Sequence, residues 1–192
     1  MIFFRDFDVP LWLIFTGNLL MLVTCGFYLW WWGLAFPPGQ TNGDPSIVIG
    51  IALLAGIAAI ACMVLGTISL PSPKTGTRFV IMLVGAVVVY ALLQIIEQGI
   101  FHRETTSELL IITVWGALLA IVLTALHTNG RVALVPTMAI SFLLAIAIGI
   151  GLVCYTVFYQ LDERGQYLIG FVPIAVDAGF EMVFLMVLAL FA

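Results

Sequence analysis

SIVIGIALLAGIAAIACMVLGTISL, residues 46–70, carries no charge and no proline. A bilayer core about 30 Å thick is crossed by roughly 20 mainly apolar helical residues, so this stretch reads as a transmembrane helix. Strands of a membrane barrel would be shorter and would alternate polar with apolar residues, and this run does not. Working outward, five more apolar runs of spanning length are bounded by Pro, Gly or charge. They cover residues 10–36, 79–101, 107–127, 132–159 and 166–191.

The whole chain agrees with that reading. Of its 192 residues, 64% are hydrophobic and 8% charged, against about 45–50% apolar and about 25% charged in a soluble domain. Six basic residues against ten acidic ones give a net charge of −4, which excludes a nucleic-acid binder. Three cysteines inside apolar runs make no disulfide framework. The expected fold is an all-α integral membrane protein, one domain over residues 1–192 with six transmembrane helices. Connections as short as PPGQTNGDP, PSPKTGTR and HTNGR make successive helices antiparallel neighbours and leave no room for a soluble domain. The first run is too long for a secretory signal, follows the mixed-charge segment FFRDFDVP, and is expected to be retained.

Lys and Arg in short loops mark the cytoplasmic side. With the N-terminus inside, Arg5, Lys74, Arg78 and Arg131 fall there, and Arg103 and Arg164 fall opposite. Four against two favours an N-in, C-in chain. Trp30, Trp31 and Trp32 then stand at the outer end of the first helix as an aromatic belt, with a binding platform for a ring or cation as the alternative.

Helices two and five carry small residues at four-residue spacing, such as Ala52 with Gly56 and Ala147 with Gly151. Small residues let backbones approach closely in lipid, so both helices are expected at the centre. Helices three and six carry intramembrane carboxylates. The order mixed helix, small-residue helix, acid-bearing helix therefore occurs twice, consistent with a 3+3 inverted pseudo-repeat of the kind found in transporters.

Charged groups in hydrocarbon are costly and are kept where they face a cavity or a partner. Asp177 lies near the middle of the last helix, with Glu181 one turn on and facing the same way. Two carboxylates so placed at low dielectric do not both ionise easily, and such a pair is suited to binding and releasing a proton. On the third helix Glu97, Gln94 and Gln98 form a polar stripe; Glu97 is expected at the entrance, and Tyr90 as a phenolic neighbour of Asp177. Asn18 falls near the depth of Glu181 and is a candidate partner for it. Pro173, four residues before Asp177, frees the Ile169 carbonyl and is a candidate gating kink; Pro136 is a second candidate kink. The alternative for the acids and glutamines is a set of buried interhelical hydrogen bonds that fix packing. No Lys or Arg lies deep inside any span to neutralise the acids, which favours a proton or a bound cation over a structural ion pair.

Other chemistry is thinly represented. His102 and His127 fall at span ends on opposite sides of the membrane and cannot share a metal or a haem. There is no HExxH, GxSxG or GxxxxGK[ST] motif. Asp162, Glu163 and Arg164 read as a solvated loop. No cofactor and no metal are expected, and the chain is more readily a non-enzyme. The leading expectation is a membrane transport protein or channel for a small solute or cation. The alternatives are a non-catalytic subunit of a larger complex and a membrane-embedded enzyme acting on a lipid-like substrate. Expected partners are membrane lipids and either a second copy or another membrane subunit. The small loops and absence of targeting signals point to a prokaryotic cytoplasmic (inner) membrane.

Overall fold

The computed structural model describes residues 7–35, 45–71, 75–100 and 107–191; within α3 and the start of α4 the side chains of residues 75–79, 82–83, 86–87, 97–98, 100 and 107–110 lie outside the description. The described chain is all-helical: α1 (Val9–Ala35), α2 (Ser46–Ile68), α3 (Thr75–Ile100), α4 (Ser107–Thr128), α5 (Leu134–Phe158) and α6 (Glu163–Phe191). Five of the six, all but α3, have described stretches long and apolar enough to cross a membrane, which marks a membrane protein.

Helix ends follow local chemistry. Asp8 caps α1, its carboxylate accepting the Leu11 N–H at 3.2 Å. The same carboxylate pairs with Arg131 in the α4–α5 turn, so the start of α1 and the α4–α5 connection share one end of the bundle. That turn is a Schellman closure: Arg131 N–H donates to Leu126 O at 2.9 Å and Gly130 N–H to His127 O at 3.0 Å. Gly130 takes φ of 70°, a left-handed conformation that favours glycine. Asp162, read from the sequence as part of a solvated loop, instead caps α6, accepting the Gly165 N–H at 3.0 Å. Glu163 and Arg164 are exposed but form the first turn of that helix; an acidic residue is favourable there because the helix dipole is positive at its N-terminus. Pro136 is the third residue of α5, where its missing N–H would have had no helical acceptor, so the kink expected there is not required.

α1 packs most extensively on α2 and also on α6; α6 packs on α5, and α5 on α4. A light contact between α4 and α2 closes these five helices into a ring. α3 stands outside it, mainly against α4. The most buried span is α4, at 50% against 17% for α2, which corrects the expectation that α2 and α5 are central. Small residues in α2 serve one tight contact with α1 rather than all-round burial. At Gly17 a side chain would meet Ala59 O and Met63 N, each at 2.9 Å; at Gly66 it would meet Pro10 O at 2.8 Å. Backbone therefore lies on backbone at two levels of this pair.

Toward the end marked by Asp8 and Arg131 the ring is solid: Leu11, Ile14, Met63, Leu119, Leu126 and Phe184 are at most 1% exposed. Toward the other end it is hollow. Because the obstructing atoms are backbone, Gly17→Val and Gly66→Val are each expected to destabilise the protein by about 1–3 kcal/mol, read as a lower Tm in detergent. Gly149→Ala, at a position with open space around it, should hold or raise Tm, since alanine is the better helix former.

Candidate functional site

The hollow half is a cavity of about 450 Å³ bounded by α1, α2, α4, α5 and α6. Spacing on each helix decides what faces it. On α1, Tyr28 and Trp32 are one turn apart and share a face; Tyr155 of α5 and Tyr159, the residue that caps its C-terminus, also line the cavity. Ile169, Pro173 and Asp177 line the α6 wall at four-residue intervals, and α2 contributes only aliphatic and small residues. The lining is almost wholly apolar, and Asp177 is the one charged residue on it among the described residues. Asp177 has 14 residues of α6 on either side, since the helix runs from 163 to 191. No hydrogen bond from a described residue reaches its carboxylate.

Below Asp177 lies Glu181, which is completely buried. Its Oε1 accepts the Trp115 indole N–H at 3.1 Å, and its Oε2 has no partner among the described residues. Trp115 reaches across the ring from α4, its ring edge-on to Phe180 at 5.5 Å. Thus the two acids, one turn apart, have different surroundings. Asp177 faces the cavity, and Glu181 is embedded in the floor that separates the cavity from the solid half.

The remaining expected residues are not assembled with this pair. Asn18 is fully buried, but its amide donates to Ile14 O of its own helix at 2.7 Å. Its Oδ1 has no partner among the described residues, and no hydrogen bond joins it to Glu181. Tyr90 and Gln94 bond each other, Gln94 Nε2 to Tyr90 Oη at 2.9 Å, and neither is among the described residues of the cavity wall. The Glu97 side chain lies outside the described residues, as does His102. The His127 Nδ1 is 3.2 Å from Val132 O, which closes the α4–α5 turn. α6 continues as helix through Pro173, and that residue forms part of the cavity wall beside Ile169.

Trp32 behaves unlike the rest of the triple tryptophan. Trp30 is 57% exposed, as a belt residue would be, but Trp32 lines the cavity and donates its indole N–H to Tyr167 O at 3.0 Å. Gly170 makes room for that ring, because a Cβ there would collide with it. Trp115 and the tyrosine pairs were not singled out from the sequence. A usable signal existed: Trp115 lies mid-span, far from the interface where tryptophan is favoured, and its N–H needs a partner inside the protein. Among the described residues no group of three His, Cys, Asp or Glu side chains could hold a metal.

Trp115→Phe removes the donor to a buried carboxyl oxygen and is expected to lower stability by about 1–3 kcal/mol. Combined with Glu181→Gln in a double-mutant cycle of thermal unfolding, the two changes should be less than additive, with a coupling near 1 kcal/mol. No family model, curated protein or solved structure matches this chain, so the reading of the site rests on its geometry.

Proposed function

We propose that this protein is a membrane transport protein for a small solute or cation, and that Asp177 is the polar anchor of its binding site. The observation that carries this reading is the cavity reaching the middle of α6, with one carboxylate and no basic side chain on its wall among the described residues. A carboxylate held in that setting needs a proton or an imported cation to balance it. Binding sites near the bilayer midplane are a recurrent transporter arrangement. The solid half then serves as the closed side of the site, and release to that side requires the α6 wall near Pro173 to move against the core.

In this reading the chain crosses the membrane six times, with both termini in the cytoplasm and α3 as a peripheral span. The loop charges support that orientation, under which the cavity opens toward the outer side. The short loops fit a prokaryotic cytoplasmic membrane, and the 3+3 inverted relationship is carried forward as a proposal about its origin.

A second reading, a subunit of a larger complex, draws on one observation. Ala145 of α5 is exposed and Gly149 has nothing near it, so small residues at helix-packing spacing face outward. An enzyme would need an acid and a base facing one substrate, and of Asp177 and Glu181 only Asp177 lines the cavity.

The test is electrometry on proteoliposomes held on a solid support and challenged with a panel of small organic cations and neutral solutes across a pH gradient. We expect protein-dependent currents for at least one compound, falling at least tenfold in Asp177→Asn while Tm is unchanged. Wild-type currents in that variant, or none for the whole panel, would overturn the proposal; a stoichiometric second polypeptide in gently extracted material would then favour the subunit reading.

A further inference from the structure

Resting on the reading of this cavity as a transport site, we infer that its ligand is a lipophilic cation, taken up sideways from the bilayer between α2 and α4. Two features of the wall select the charge. Asp177 is the one charged group on it among the described residues, and Glu181, one turn on, is closed off from the cavity by burial. Around this, Tyr28, Trp32, Trp115 and Tyr155 supply aromatic surfaces from three helices. Aromatic faces attract cations through their quadrupole, and the attraction strengthens when water is excluded. An anion would meet the Asp177 carboxylate and, among the described residues of this wall, no basic side chain. A small hydrated metal ion would find a single carboxylate and an apolar surround, which cannot replace its hydration shell.

The size and the opening select the lipophilic body. A volume of about 450 Å³ lies within the roughly 300–1,000 Å³ typical of sites for drug-sized organic ligands. Leu53 and Ile57 on α2 are cavity residues that are also 61% and 65% exposed; Ile111 on α4 is a cavity residue that is 58% exposed. The gap between these two lightly touching helices therefore presents an apolar rim where lipid chains would lie. A molecule dissolved in the bilayer reaches Asp177 by this route without crossing a polar vestibule. The Tyr155 hydroxyl, buried and without a partner among the described residues, adds a polar group beside the wall that a ligand head could satisfy.

The experiment uses the full chain in lipid nanodiscs and follows quenching of intrinsic tryptophan fluorescence by tetraphenylphosphonium. Its isosteric anion, tetraphenylborate, is the charge control, and empty nanodiscs correct for partitioning. The expected result is saturable binding of the cation and none of the anion. Affinity should fall at least tenfold in Asp177→Asn and recover to within about threefold of wild type in Asp177→Glu. Tyr28→Leu, which leaves the carboxylate in place, should weaken binding severalfold and keeps the test decisive should Asp177→Asn fail to fold. Equal binding of the anion, or no saturable binding of the cation, would overturn the inference. Asp177-dependent binding without uptake into proteoliposomes would uphold the ligand class and overturn transport; currents with other solutes and no phosphonium binding would do the reverse.

Discussion

In hydrocarbon a polar group has no water to fall back on, and among the described residues one carboxyl, that of Glu181, is completely buried and must be accommodated. The hydrogen bond from Trp115 to Glu181 does so, and it also sets the geometry of the bundle's interior. α4 and α6 are not adjacent in the ring; α5 lies between them in packing order. A tryptophan side chain is long enough to bridge that distance, and its single N–H has one strong acceptor to reach. The indole plane and the edge-on Phe180 then form a floor. One side of it is filled by buried aliphatic side chains and Phe184, and the other side stays open.

The division into solid and hollow halves follows from residue size along each helix. Toward Asp8 and Arg131, leucine, isoleucine, methionine and phenylalanine from five helices converge and interdigitate. Toward the other end, α2 contributes Ala52 and Gly56 and α5 contributes Gly151 and Cys154, while the room at Gly170 is taken by the Trp32 ring. Small side chains serve two purposes in this fold. Where two helices are in backbone contact, as at Gly17 and Gly66, they permit approach; along the cavity wall they leave space.

Asp177 and Glu181 show how one turn of helix separates roles. Both project toward the interior, and the sequence pairs them by spacing alone. Whether a carboxyl at either position meets a cavity or a tryptophan is decided by α4, more than 60 residues away in the chain. Asn18 gives the converse case: its amide is satisfied locally by Ile14 of its own helix, the usual competition between tertiary partners and the preceding turn.

The number of helices, their approximate ends and their membrane character were legible in the sequence because each depends on local properties: length of apolar run, turn residues and charge. Asp177 and Glu181 were legible as exceptional for the same reason, since a carboxylate in hydrocarbon is anomalous whatever surrounds it. The caps at Asp8 and Asp162 are also local, although the second was hidden by a charge run that reads as loop. What only the tertiary structure decided was which helices neighbour one another. Apolar faces in lipid carry no preference for one apolar neighbour over another, so periodicity does not rank α4 above α2 for burial, exclude α3 from the ring, or take Trp32 out of the aromatic belt. Those outcomes come from shape: the backbone contacts at Gly17 and Gly66, the slot at Gly170, and the reach of Trp115 across the ring to Glu181.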